Sequence, residues 1–249
     1  MNPHLLKLKK IPFFPIRLVR FARRAFEKEP DAFLRRVSGV IHVGANAGQE
    51  RDIYAGHNLD VVWIEPIPEV FSELKANLKK FPRQQAYRYL ITDRDDEEYT
   101  FHIANNQGQS SSILELDLHK DIWAEIHYEK AILLKSVTLS SLVRAEKIKI
   151  NKYDALIMDT QGTELLVLKG AEGLLSRFKY IKTEAADFEV YKGCCRVEDI
   201  EDFLGKRGFK EFSRHQFAYR KEGGACYDIV YKKSVGRQIR NVFGRKRER

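Results

Sequence analysis

Strand signals and helix signals alternate along the middle of this chain, and that alternation limits the fold more than any single motif. Short apolar runs suited to strands fall at 40–43, 61–65, 86–91, 97–103, 131–138, 154–159, 179–184, 209–213 and 226–232. Helical spacing falls at 49–56, 68–80, 164–177 and 197–207. The spacing predicts an α/β fold, a mainly parallel sheet with helices on both faces. The end of the chain departs from the pattern. After 197–207 come GFKEFS, a polar turn holding Gly223-Gly224, and CYDIVYKK, which read as an antiparallel hairpin.

With 43% hydrophobic and 32% charged residues, the chain can bury a core and is not a disordered one. Cys194, Cys195 and Cys226 are too few and too unevenly spaced for a disulfide framework, which points to a reducing, cytoplasmic setting. Of the formal net charge of +9, residues 1–36 carry +7 and residues 234–249 carry +5, leaving −3 for 37–233. Three parts follow: a basic extension over 1–36, a body over 37–233 and a basic tail over 234–249. A nucleic-acid enzyme concentrates basic charge around its cleft; here the charge sits in the ends, so no nucleic-acid partner is expected. No run reaches the roughly 20 apolar residues of a membrane span. After Pro15, Phe14, Leu18, Phe21 and Ala25 share one helical face and Arg17, Arg20 and Arg24 another. Two readings stay open: a helix packed on the body, or one lying on an anionic membrane surface as a peripheral anchor.

The first strand runs into VIHVGANAGQE, residues 40–50. In a doubly wound sheet, ligands bind beyond the carboxyl ends of the strands, where this loop falls. Gly44 and Gly48 lie four apart with no third glycine, which departs from the dinucleotide pattern G-x-G-x-x-G. Glu65 ends the next strand in VVWIEPIP, where a carboxylate can accept from both hydroxyls of a ribose. Thr92 and Asp93, in LITDRD, can reach an adenine edge. Asp159 ends the apolar strand DALIMD, with the Gln161-Gly162 turn and Glu164 following. Asn46, Glu65, Asp93 and Asp159 thus converge on one rim, as a cofactor groove followed by a reaction site. An NAD-type oxidoreductase and a non-catalytic binding protein on the same scaffold are the alternatives.

In the stretches IHVGANAGQE, WIEPIPEVFSELKANL, NNQGQSSSIL, VTLSSL, DALIMDTQGTELLVLKGA, IKTEAADFEVYKG and the closing hairpin, the sequence resembles the FkbM-type family of S-adenosylmethionine-dependent methyltransferases over roughly residues 38–233. The resemblance implies a class I methyltransferase (Rossmann-like) fold, with a seven-stranded sheet whose last strand is antiparallel. It also implies S-adenosylmethionine as cofactor and O-methylation of a sugar, glycan or other small hydroxylated molecule. Gly44, Asn46 and Gly48 would line the methionine part, Glu65 would take the ribose and Asp93 the adenine end. Most class I methyltransferases carry an acid where this chain has His42. That histidine is either buried and bonded internally or takes over the acid's role in holding the cofactor.

Methyl transfer to a hydroxyl needs an in-line acceptor and, for a poor nucleophile, a base. Asp159 and Glu184, at the ends of neighbouring strands, are the candidates. As a pair they could also hold Mg²⁺, though two carboxylates alone leave that site incomplete. The loop 105–112 reads as a lid that brings Ser110 and Ser111 to the cofactor and Gln109 to the acceptor. Gln161, Glu164, Asp187 and Tyr191 are expected on the acceptor side. The acceptor would be a small molecule or a glycan, lipid-linked if the basic ends touch a membrane. His102, His119, His127 and His215 show no ligand spacing and receive no role.

Overall fold

The computed structural model describes residues 31–234. The amphipathic stretch 14–26 and the basic tail from 235 onward lie outside the described residues.

A seven-stranded sheet contains β1 (Gly39–Val43), β2 (Asp60–Ile64), β3 (Gln84–Tyr87), β7 (Ala155–Met158), β8 (Tyr180–Ala186), β9 (Phe209–Tyr219) and β10 (Ala225–Lys233). A smaller sheet contains β4 (Leu90–Thr92), β5 (Glu98–Ala104) and β6 (Tyr128–Thr138). The helices are α1 (Arg51–Gly56), α2 (Pro68–Asn77), α3 (Leu139–Ala145), α4 (Glu164–Gly170) and α5 (Val197–Gly205). The strand order in the large sheet is β3-β2-β1-β7-β8-β10-β9. Neighbours from β3 to β8 are parallel, and β10 enters antiparallel between β8 and β9. This is the sheet of the class I methyltransferase fold that the alternation and the resemblance led us to expect.

The period of two along each strand splits the core. In β1, Ile41 and Val43 join Val62, Leu156 and Met158 against Leu142 of α3, Leu168 of α4 and Ile200 of α5. Val40 faces the other way, with Val61, Trp63 and Ile157 against Tyr54 of α1 and Leu74 of α2. A leucine buried like Leu74 or Leu142 contributes roughly 1.5–3 kcal/mol. Phe33 and Leu34 are buried in the second cluster, so the body begins before residue 37.

Three elements differ from the sequence expectation. The run 86–91 splits, because β3 ends at Tyr87 and β4 leaves the main sheet to pair in parallel with β6. Helix α3 was not expected from periodicity; Thr138 caps it, accepting from the Ser141 N–H at 3.1 Å. The 164–177 pattern divides into α4 and a 3-10 stretch, Glu172–Arg177.

Candidate active site

Beyond the carboxyl ends of β1, β2, β7 and β8 lies a cleft of about 1230 Å³. Its first wall is the glycine loop. The N–H groups of Gly44 and Ala45 both donate to the Ile64 carbonyl, at 3.0 and 3.1 Å. Gly44 has φ +79°, and a Cβ there would sit 1.9 Å from the Asp159 carbonyl oxygen. Glycine is therefore needed so that the end of β7 can pass close to the loop. Asn46 has φ +45°, a left-handed conformation that asparagine tolerates. That turn aims its N–H at Glu65 Oε2, 2.9 Å away. Its side chain accepts from Ala47 N–H and Gln49 Nε2 and donates to the Gln107 carbonyl at 3.0 Å.

Glu65 follows β2 and is 4% exposed. Its second oxygen, Oε1, accepts from the Ile67 N–H at 2.9 Å. Burial pushes its carboxyl up to about 7, against the opposing pull of the two backbone N–H bonds. Each oxygen holds one backbone donor, and a carboxylate has about four acceptor sites, so capacity remains for a pair of hydroxyls. Ile67, Leu90, Ile91 and Phe101 give the adjoining wall an apolar surface. A vicinal diol beside a flat apolar ring fits this part of the cleft, which is the shape of an adenosine.

The opposite wall is the turn after β7. Gln161, at φ +55°, donates from Nε2 to Asp159 Oδ1 at 2.5 Å and accepts from the Tyr191 hydroxyl at 2.6 Å. Asp159, Gln161 and Tyr191 thus form one chain of hydrogen bonds. Met158 pairs with Thr183, so Asp159 and Glu184 follow on adjacent strands, and both line the cleft. Glu164 is 2% exposed and holds the turn itself. Its Oε1 accepts from the Thr160 N–H at 2.9 Å and its Oε2 from the Gly162 N–H at 3.1 Å. Burial raises its carboxyl, and these bonds give it a structural task in place of the acceptor contact expected of it.

Gln109, Ser110 and Ser111 also border the cleft. Their loop is tied at several points: Ser111 Oγ accepts from the Ala104 N–H at 3.0 Å, Ser110 Oγ from Asn106 Nδ2 at 2.9 Å, and Ser112 Oγ donates to the Gln161 carbonyl at 2.9 Å. It bridges the glycine loop to the Asp159 turn as a braced wall.

Four residues expected at the site lie elsewhere. A Cβ on Gly48 would meet Leu74 at 2.7 Å, so this glycine faces α2. Thr92 is fully buried and bonds the Arg94 backbone, and Asp93 does not line the cleft, because β4 ends in the smaller sheet. Asp187 is exposed and joins β8 to β10, accepting from the Ala225 N–H at 2.7 Å and the Tyr227 hydroxyl at 3.0 Å. His42 borders the cleft, but its Nδ1 is 3.0 Å from the Tyr54 hydroxyl and its ring stacks on Trp63 with centroids 5.0 Å apart. Burial lowers it to about 3, so it is a neutral, internally bonded ring and does not replace an acid's charge.

The structure also brings to the cleft residues that no sequence signal marked: His119, Trp123, Ile126, Phe217 and Cys226. Burial holds the Cys226 thiol up at about 12, which leaves it no thiolate character. No group of three or more His, Cys, Asp or Glu among the described residues could hold a metal ion.

A family model described as the methyltransferase FkbM domain matches residues 42–211. The 2-O-methyltransferase NoeI of Sinorhizobium fredii (strain NBRC 101917 / NGR234) is 24% identical over 173 residues, 66% of this chain and 70% of NoeI. Among solved structures, the magnesium protoporphyrin IX methyltransferase ChlM of Synechocystis PCC 6803 with bound SAM superposes with a TM-score of 0.47 at 11% identity, covering 91% of this chain and 86% of that one. The METTL16 MTase domain gives a TM-score of 0.48 at 11% identity, covering 91% and 71%.

Proposed function

This chain belongs to the FkbM methyltransferase family, and from that premise we propose that it methylates a hydroxyl oxygen of a sugar, a glycan or another small uncharged polyol. It is an S-adenosylmethionine-dependent methyltransferase, which removes the NAD-type oxidoreductase alternative. The observation that carries the finer reading is the Asp159–Gln161–Tyr191 chain, which presents an oriented carboxylate across the cleft from Glu65. Bound S-adenosylmethionine supplies an electrophilic sulfonium methyl. Glu65 would accept from the ribose hydroxyls, and Ile67, Leu90 and Phe101 would cover the adenine. Asp159 would take the proton of the acceptor hydroxyl, a role worth about 10²–10⁴-fold in rate. Glu184, on the next strand, is the second base to test. The Gln161 amide keeps Asp159 turned into the cleft, and Tyr191 keeps Gln161 in place.

The charge of the cleft supports an uncharged acceptor. Asp159, Glu184, Glu125 and Asp228 line it, with Arg51 and Lys182 as the cationic side chains. A phosphorylated or nucleic-acid acceptor would meet repulsion there. The name of NoeI, a 2-O-methyltransferase, supports oxygen as the accepting atom. The test is to incubate the protein with methyl-labelled S-adenosylmethionine and a glycan and glycolipid extract, then treat the product with mild alkali. A methyl ether keeps its label. Label released as methanol marks a carboxyl ester and overturns the proposal.

The charge of the two ends supports work at an anionic membrane. Full-length protein should sediment with anionic vesicles at low salt and lose them as salt rises, and a chain lacking residues 1–30 should not sediment. Absence of sedimentation at low salt would refute this part.

A further inference from the structure

The cleft beside Asp159, toward β9 and β10, differs from the rest in being aromatic. His119 sits in a 3-10 turn, Leu118–Asp121, and is 2% exposed. Its ring packs against Trp123, with centroids 4.8 Å apart, and against Tyr191 at 5.4 Å. All three rings line the cleft. The hydrogen bonds that hold His119 in the fold use its backbone and not its ring. The N–H donates to the Val190 carbonyl at 3.0 Å, and the carbonyl accepts from the Ile122 and Trp123 N–H groups at 3.2 and 3.0 Å. The imidazole Nδ1 is enclosed with no hydrogen-bond partner among the described residues. A buried polar nitrogen without a partner is uncommon and calls for an explanation.

We propose that His119, Trp123 and Tyr191 form the acceptor subsite, where an uncharged sugar ring lays its C–H face on the Trp123 indole and a hydroxyl next to the methylated one bonds the His119 imidazole. The inference rests on the methyltransferase reading above and adds the groups that choose the acceptor. Continuity with the reaction site supports it: the Tyr191 ring touches His119, and its hydroxyl bonds Gln161, which bonds Asp159. Burial lowers His119 to about 4, so the ring is neutral near pH 7 and offers one donor and one acceptor. Among the described residues no group bonds the ring to fix its tautomer, so it can meet a hydroxyl as donor or as acceptor. A neutral imidazole suits a hydroxyl better than a carboxylate or phosphate, which would want a cation. An aromatic surface with a few polar groups is the usual make-up of a small-molecule pocket.

The test uses the full chain loaded with S-adenosylhomocysteine and needs no turnover. The probes are methyl α-D-mannopyranoside, methyl β-D-galactopyranoside and methyl α-L-rhamnopyranoside, with glucuronate and glucose 6-phosphate as charged counterparts. Saturation-transfer NMR reads contact with the sugar C–H protons. At least one neutral glycoside should receive saturation and the charged sugars should not. In Trp123→Ala the signal should disappear, and in His119→Phe, which keeps the ring packing, affinity should fall at least tenfold. Calorimetry should show unchanged S-adenosylhomocysteine binding in both variants. No transfer to any neutral glycoside, equal transfer to the charged sugars, or unchanged affinity in both variants would overturn the subsite. Failure of the wild-type chain to bind S-adenosylhomocysteine would instead strike the cofactor reading, so the two outcomes separate.

Discussion

The Glu65 carboxylate meets its neighbours through backbone N–H groups, whereas the His119 imidazole meets its neighbours through ring faces. The two stand in opposite halves of one cleft. In the cofactor half, the loop after β1 and the end of β2 lie side by side because their strands pair, and Asn46 and Ile67 offer N–H groups to Glu65 at 2.9 Å each. In the acceptor half, rings come from the 118–121 turn, the stretch around Tyr191 and strand β9; backbone bonds tie the turn to Val190, and the rings themselves meet by packing. The first half is set by the sheet and depends little on which side chains surround it. The second is set by side chains and can change acceptor without disturbing the sheet. One scaffold can therefore hold its cofactor constant while its acceptor varies.

The largest test of this division acts where the halves meet. Gly44→Val places a side chain against the Asp159 carbonyl and forces a β-branched residue to φ +79°. It should lower stability by about 3 kcal/mol or more, read as a fall in melting temperature, and damage both halves together. If this variant melts like wild type and loses only S-adenosylhomocysteine affinity, Gly44 serves the cofactor and not the strand contact.

Asp159→Asn should leave S-adenosylhomocysteine affinity intact while turnover falls about 10²-fold or more. Weakened cofactor binding would move Asp159 into the other half. Normal turnover in both this variant and Glu184→Gln would leave positioning as the whole mechanism.

Glu65→Ala should weaken S-adenosylhomocysteine by about 1–3 kcal/mol, the cost of lost charged hydrogen bonds. Titration calorimetry should register this loss with no change in neutral glycoside binding; coupled losses would break the division.

The smallest expected effect is on pH. The folded carboxyl of Glu65 titrates at about 7, above its usual 4.5, so its contribution to folding stability declines as pH rises from about 4.5 to 7. Ribose hydroxyls donate to the ionised form, so affinity should move the other way and rise up to about tenfold between pH 6 and 8. A flat profile in wild type, or the same slope in Glu65→Gln, would detach this carboxylate from the cofactor.

The halves also differ in how far sequence alone discloses them. Gly44, Asn46 and Glu65 were legible because a glycine after a strand and an acid at the end of the next strand keep their places whenever those strands pair. Asp93 was misjudged by the same rule, since β4 pairs with β6 and its end does not face the cleft. Glu164 and Asp187 were legible as polar residues near strand ends, but their partners are the turn and β10, which only the folded chain reveals. His119 carried no signal, because spacing cannot report a ring that acts through Trp123 four residues on and Tyr191 far along the chain.

The position of β10 decides when the cleft can be finished. Among the described residues β9 pairs in the sheet with β10 alone, and β10 is also its link to β8. A chain emerging from the ribosome can pair β1, β2, β7 and β8 first, and can assemble the cofactor half with them. Phe217 and Ala218 of β9 and Cys226 of β10 reach the acceptor half only after the last strand has threaded between its two neighbours. The β8–β10 partners lie only 40–52 residues apart, against 115 for β1 and β7, so this step comes late through its place in the chain and not through contact distance. The nascent enzyme thus gains its grip on the methyl donor before it gains a place for anything to be methylated.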